Sequence, residues 1–248
     1  MTELAILGGT GLTSLHNMEI VRREVVHTPY GEPSGALTYG NLCGNEVVFL
    51  ARHGYGHTIP PHMVNYRANL WALKNAGIKQ IISICAVGGI HSDIGPQSLV
   101  IPDQVVDYTW SRHHTFFEKD LTHVTHIDFT EPYCEEMRTA LVAGAASAGI
   151  DILQGGTYGA TQGPRLESSA EINRMERDGC DMVGMSGMPE VALAKELGLC
   201  YAACAVCANR AAGRGDGLID IGKIETTLEE SMTKVRLLLE HTISSVCR

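Results

Sequence analysis

No apolar run in this chain approaches the roughly 20 residues needed to cross a bilayer, and Met1-Thr2-Glu3 brings no basic segment into an apolar one. The expectation is a soluble cytoplasmic protein with no membrane partner. Linkers rich in proline, serine or charge are missing, as are internal repeats and low-complexity segments. A chain of 248 residues that is 44% hydrophobic can bury a full core, so 1–248 reads as a single domain. Positive charge is scarce, with 19 Lys and Arg against 28 Asp and Glu and a formal net charge of -9. That balance argues against nucleic acid, whose phosphates are held by accumulated cations. Any bound anion must be captured by a few placed donors.

Metal and disulfide frameworks are also not expected. The eight cysteines are scattered through apolar stretches and read as free, mostly buried thiols. Cys200, Cys204 and Cys207 lack a fourth ligand at suitable spacing, and on a strand Cys204 and Cys207 point to opposite faces. His113-His114 with His123 and His126 read as a polar loop rather than a metal centre. Gly8-Gly9-Thr10-Gly11 lacks the third glycine of a dinucleotide fingerprint, Ser14 standing in its place.

What the chain does have is a recurrence. Five apolar runs end in loops of small and polar residues. Leu4 to Leu7 leads to Gly8-Gly9-Thr10-Gly11, Val47 to Leu50 to Ala51-Arg52-His53-Gly54, and Ile81 to Ile84 to Cys85-Ala86-Val87-Gly88-Gly89. Asp181 to Val183 leads to Gly184-Met185-Ser186-Gly187, and Ala203 to Val206 to Cys207-Ala208-Asn209-Arg210. Continuous apolar runs suit strands buried on both faces, and ligands of α/β sheets bind beyond the strand ends. Helical periodicity covers 65–75 and 225–246, with further helices at 134–148, 168–177 and 190–198, the last with Pro189 at its first turn. Turn residues between Met18 and Phe49 indicate antiparallel strands. The fold class is α/β, a central mixed β-sheet flanked by helices.

The loops have the chemistry of an anion and nucleoside site. Gly8 to Gly11 can wrap N–H groups around an oxyanion, with a hydroxyl from Thr10. Arg52 and His53 at a strand end suit a dianion, Ser186 adds a hydroxyl, and small residues at Ala86 and Gly187 allow close approach. Glu167, after Gly163-Pro164-Arg165-Leu166, can accept from the N1–H of a 6-oxopurine, and the amide of Asn209 can donate to O6 or N7. Adenine, with a bare N1 and an N6 donor, fits that pair less well. Each loop taken singly is also compatible with an ordinary turn.

Longer motifs then become recognisable. Ala51-Arg52-His53-Gly54 with His57-Thr58-Ile59-Pro60, the stretch Val64 to Lys74, Gly163-Pro164-Arg165, and Pro189 to Glu196 resemble those of the trimeric purine nucleoside phosphorylase and methylthioadenosine phosphorylase family, in order along nearly the whole chain. The resemblance implies a homotrimer with sites near subunit interfaces and reversible phosphorolysis of an N-glycosidic bond. Inorganic phosphate would be the co-substrate, with no other cofactor and no metal. It assigns Thr10, Arg52, His53, Ala86 and Ser186 to phosphate and Met185 to the ribose. Glu167, Leu166 and Asn209 fall at the base, and His126 enters the neighbouring subunit's 5' pocket. Cys85 stands where methylthioadenosine phosphorylases have Thr. Asn209-Arg210-Ala211 and Glu167 replace the Asp-Tyr-Asp and Ser of those enzymes, which again favours a 6-oxopurine.

At the 5' end, Leu218, Ile221 and Ile224 stand near the stretch where purine nucleoside phosphorylases resemble one another in a His. Burying a methylthio group against such side chains is worth on the order of 1 to 2 kcal/mol. The substrate these features jointly imply is S-methyl-5'-thioinosine. His53 and Asn209 are the expected catalytic residues, Asn209 stabilising the departing purine. Inosine or guanosine phosphorolysis, methylthioadenosine phosphorolysis, hydrolysis by water and a non-catalytic nucleoside-binding module are the competing readings.

Overall fold

The computed structural model describes residues 3–12, 17–119 and 121–246, so Ser14 lies outside the described residues. In it the first apolar run is a strand, β1 (Leu4–Gly8), buried along its whole length. Successive side chains of a strand point to opposite faces, and here both faces are covered. Leu4 and Ile6 join one core cluster with Val47, Phe49, Ile82 and Ile84, while Ala5 and Leu7 join another with Val48, Leu50 and Ile81. This explains why the runs lack alternation.

Along the chain follow β2 (Glu19–Glu24), β3 (Leu37–Leu42), β4 (Asn45–Ala51), α1 (Tyr66–Asn75), β5 (Gln80–Gly89), β6 (Leu99–Ile101) and β7 (Gln104–Asp107). Then come α2 (Glu135–Ala148), β8 (Leu153–Gln154), β9 (Thr157–Ala160), α3 (Ser169–Arg177), β10 (Met182–Gly184), α4 (Gly187–Glu196), β11 (Cys200–Arg210) and α5 (Ile221–Val246). The strands form one mixed sheet in the order β2-β3-β4-β1-β5-β10-β9-β7, with β11 pairing β5 and β6, and β8 pairing β6. Strands β4, β1, β5 and β11 are mutually parallel, so four of the five loops read from the sequence leave at one edge. The antiparallel segment expected between Met18 and Phe49 is the β2-β3-β4 meander. Cys43 and Gly44, both at positive φ, make its last turn.

Helices α1 and α4 supply Leu70, Leu73, Val191, Leu193 and Ala194 to one face of the sheet. Helices α2 and α5 supply Met137, Leu141, Leu228, Val235 and Leu239 to the other. Asn65 caps α1 by accepting from Ala68 N, and Ser168 with Glu171 forms a capping box at α3. The five expected helices are present, α5 starting four residues before the expected Glu225 and α4 three before Glu190. Strands β6 to β9 are too short to carry a periodicity, and the sequence does not announce them.

One expectation is corrected. Cys134 and Cys200 are not free thiols but form a disulfide, with Cα atoms 5.1 Å apart. Cys134 lies just ahead of α2 and its N–H donates to Tyr201 O at 2.8 Å, which brings it beside the start of β11. Nothing in a separation of 66 residues reveals that meeting. Cys85, Cys180, Cys204 and Cys207 are free and buried, and Cys43 is free and exposed. Cys204 and Cys207 pack into opposite clusters, as strand geometry predicts.

Candidate active site

Gly8 and Ala51 are register partners, so the loops after β1 and β4 leave the sheet side by side, with Arg52 N–H donating to Gly8 O at 2.9 Å. Strand β5 contributes Ala86, and β11 brings Asn209 opposite Gly88. Strand β10 is antiparallel to β5 and delivers Met185 and Ser186 from the other direction. Between these loops opens a cavity of about 530 Å³. Thr10, Arg52, His53, Ala86, Met185, Ser186, Leu166, Glu167, Asn209 and Ile224 all line it. Ten of the thirteen side chains singled out from sequence thus meet in one space of the size that small-molecule sites occupy.

Arg52 is wholly buried, and most of its donors are committed. Its Nε donates to Glu190 Oε2 at 2.5 Å, and Nη2 to Glu190 Oε1 at 2.8 Å and Ser83 Oγ at 2.6 Å. Nη1 donates to Ile84 O at 3.0 Å. A guanidinium has five N–H groups, so this arrangement leaves one, on Nη1, unengaged by these partners, although the side chain has no exposed surface. Burial alone would lower the pKa of Arg52, but the Glu190 carboxylate reverses this and holds it well above the ordinary value. Glu190 in turn accepts from Ser83 Oγ at 2.9 Å and Tyr201 OH at 2.7 Å. A Cβ on Gly9 would stand 2.8 Å from Arg52 Nη1 and 2.4 Å from Ile84 O, so glycine is what lets the loop lie against the guanidinium. Cys85 packs beside Ser83, 3.4 Å from its hydroxyl, and does not line the cavity.

His53 is neutral. Burial, and then the charge of Arg52, lower its pKa to about 4. Its Nδ1–H donates to Ile59 O at 2.8 Å, which leaves Nε2 as an acceptor. Below pH 6.5 the unfolded chain takes up a proton that the folded imidazole refuses, so the stability tied to His53 is complete above 6.5 and is lost as pH falls toward 4. Ligand-free protein should therefore lose about 3 kcal/mol through this group between pH 7 and 4. Urea midpoints measured across that range should show a correspondingly shallower acid slope in His53→Asn. Thr10 Oγ1 lies 3.5 Å from His57 Nε2, and Ser186, at the start of α4, makes no side-chain cap bond and lines the cavity, its side chain also meeting the phenol of Tyr158.

On the opposite wall, Glu167 Oε1 accepts from Thr161 Oγ1 at 2.6 Å. Asn209 follows a bulge in β11, where Cys207 pairs Val87 and Asn209 pairs Gly88, so Ala208 is the extra residue. A bulge re-aims the side chain that follows it. One amide N–H of Asn209 donates to Arg210 O at 2.7 Å, leaving the second N–H and Oδ1 for a ligand. Buried Arg112 ties this wall together, donating to Met185 O at 2.9 Å, Met188 O at 2.6 Å, Thr161 O at 3.0 Å and Gln162 O at 2.8 Å.

The sequence model of the phosphorylase superfamily matches residues 3–244. The chain belongs to that superfamily. This phosphorylase is 52% identical over 245 residues to a probable S-methyl-5'-thioinosine phosphorylase of Pseudomonas syringae pv. tomato, a match covering 99% of this chain and 100% of the relative. It is 44% identical over 245 residues to a 6-oxopurine nucleoside phosphorylase of Pyrococcus furiosus, covering 96% and 91% of the two chains. Among solved structures, a methylthioadenosine phosphorylase from Schistosoma mansoni in complex with adenine superposes with a TM-score of 0.94 at 31% identity, covering 99% of this chain and 92% of the other.

Two residues expected at the phosphorylase's 5' pocket lie outside the cavity of the single chain. Leu218 is fully exposed and Ile221 more than half exposed, and neither lines the cavity. Ile219 is present instead, next to Leu218 in sequence, and on α5 the lining residues are Ile224 and Leu228, four apart on one helix face. His126 is exposed and does not line the cavity of its own chain. Sequence reading gives no role to Glu190, Thr161 or Arg112. Glu190 does carry a signal, being the sole charge between Gly184 and Ala194, because a lone acid in an apolar stretch needs a buried partner. Thr161 and Arg112 carry none.

Proposed function

We propose that this phosphorylase catalyses the reversible phosphorolysis of S-methyl-5'-thioinosine to hypoxanthine and 5-methylthioribose 1-phosphate. The observation that carries this reading is the composition of one cavity. It combines a carboxylate acceptor (Glu167) and an amide donor (Asn209) with the apolar side chains of Ile219, Ile224 and Leu228. The first pair complements N1–H and N7 of a 6-oxopurine. The apolar group suits a methylthio substituent, whose burial against such side chains is favourable.

Phosphate is held by Thr10, the free N–H of Arg52, the backbone at Ala86 and the hydroxyl of Ser186. His53 Nε2 accepts from a protonated phosphate oxygen or a ribose hydroxyl. A phosphate oxygen bonds to C1' as the glycosidic bond to N9 breaks, and the electron pair of that bond leaves with the purine. The free N–H of Asn209 donates to N7 and stabilises the departing base, while Met185 lies under the ribose. Phosphate is the co-substrate, with no other cofactor and no metal. The assembly is a homotrimer in which His126 of each subunit completes the 5' pocket of its neighbour, in keeping with its exposed position in the single chain.

Hypoxanthine or adenine release from methylthioinosine, inosine and methylthioadenosine, each with and without phosphate, tests the reading. Phosphate-dependent release chiefly from methylthioinosine is expected. Preference for inosine would overturn the 5' pocket, preference for methylthioadenosine the base contacts, and phosphate-independent release the mechanism. The second reading, a general 6-oxopurine nucleoside phosphorylase, is favoured by the name of the P. furiosus relative and shares Glu167 and Asn209.

A further inference from the structure

We propose that Thr161 is a specificity-determining residue, which secures the preference for 6-oxopurines over 6-aminopurines by holding Glu167 as a fixed hydrogen-bond acceptor. Thr161 is buried and does not line the cavity, so it acts through Glu167 and not on the base. Its hydroxyl has one proton and two acceptors within reach, Glu167 Oε1 at 2.6 Å and Gly184 O at 3.3 Å. Gly184 O already accepts from Thr161 N–H at 2.8 Å, so the hydroxyl proton goes to the shorter bond with the carboxylate.

The donor cannot drift. Thr161 O is held by Arg112 Nη2 at 3.0 Å, and the same guanidinium nitrogen holds the next carbonyl, Gln162 O, at 2.8 Å. Downstream, Ser168 opens α3 with a reciprocal capping box, which fixes the backbone beside Glu167. With Oε1 engaged and the chain pinned on both sides, Oε2 is the oxygen left to face the base. A carboxylate oxygen can only accept. It pairs with the N1–H of a 6-oxopurine and opposes the lone pair on N1 of a 6-aminopurine, so a rigid Glu167 both attracts the first and rejects the second. A Glu167 free to rotate could withdraw from adenine and escape that repulsion. Discrimination of this kind requires that the site be unable to adapt.

This inference rests on the base contacts proposed above, and the experiment separates the two. The ratio of kcat/KM for methylthioinosine to that for methylthioadenosine is measured on the same preparation of wild type, Thr161→Val, Thr161→Ser and Glu167→Gln. Both substrates see the same active fraction, so the ratio is insensitive to partial misfolding. Thr161→Val, which keeps the shape and removes the donor, is expected to lower the ratio about tenfold, and Thr161→Ser to stay within about twofold of wild type. Glu167→Gln should lower it at least as far as Thr161→Val does. An unchanged ratio in Thr161→Val beside a lowered one in Glu167→Gln overturns the role of Thr161 and leaves the base contacts standing. A fall in Thr161→Val that Thr161→Ser shares in full assigns the effect to packing and also overturns it. If neither Thr161→Val nor Glu167→Gln moves the ratio, the base contacts fall and this inference falls with them.

Discussion

Glu190→Gln is expected to cost about 3–5 kcal/mol of folding stability, because it leaves the guanidinium of Arg52 charged and unpaired in the interior. The carboxylate accepts two bonds from Arg52, one from Ser83 and one from Tyr201. An amide presents N–H groups to at least one of those donors. Against a typical total of about 5–15 kcal/mol, such a loss moves the urea midpoint far to the left. Removing both charges should behave differently. Arg52→Met with Glu190→Leu replaces a buried pair by apolar groups, and its stability should return most of the way toward wild type. Phosphorolysis should not return with it, because the free N–H on Nη1 is gone. A double variant that is both stable and active would show that Arg52 has no part in phosphate capture, and one as unstable as Glu190→Gln would show that the pair is not what the single change disrupts.

The second large effect is expected at Asn209. Asn209→Asp removes the one amide N–H left for N7 and places a carboxylate against Arg210 O. Loss of a donor aimed at charge that develops in the transition state typically costs about 10²–10³ in kcat, and that is the fall expected for methylthioinosine. Activity on methylthioadenosine should fall less, since a carboxylate can accept from its N6 amine, so selectivity moves toward the 6-amino substrate. Steady-state kinetics on both substrates at saturating phosphate measures this. Unchanged selectivity would remove Asn209 from base recognition.

The parts of the molecule that are legible in the sequence share a cause. Runs such as Val47 to Leu50 and Ile81 to Ile84 are apolar on both sides because helices cover both faces of the sheet. The loops that follow them are polar because ligand chemistry takes place at strand ends. What is illegible depends on contacts far apart in the chain. Arg52 and Glu190 are 138 residues apart, and no local pattern says that most of the arginine's donors are taken by the protein itself. The bulge at Ala208 is a matter of register between β5 and β11, which composition does not record. Leu218 illustrates a third kind of difficulty. It and Ile219 are equally apolar, and only the path of the chain into α5 decides that Ile219 lines the cavity while Leu218 faces outward.

The pairing of Arg52 with Glu190 has an electrostatic consequence for the reaction. One formal positive charge and one negative charge lie together at the foot of the proposed phosphate position, and His53 adds none because burial keeps it neutral. These three side chains therefore carry a summed charge near zero while still presenting directed hydrogen-bond donors and an acceptor. A dianion seated there is oriented without being neutralised, and its field remains available to the sugar. As the glycosidic bond stretches and the ribose becomes cationic, the nearest counter-charge is the nucleophile itself. Attraction between the two grows along the reaction coordinate and is absent from the ground state, which is the differential stabilisation that lowers a barrier.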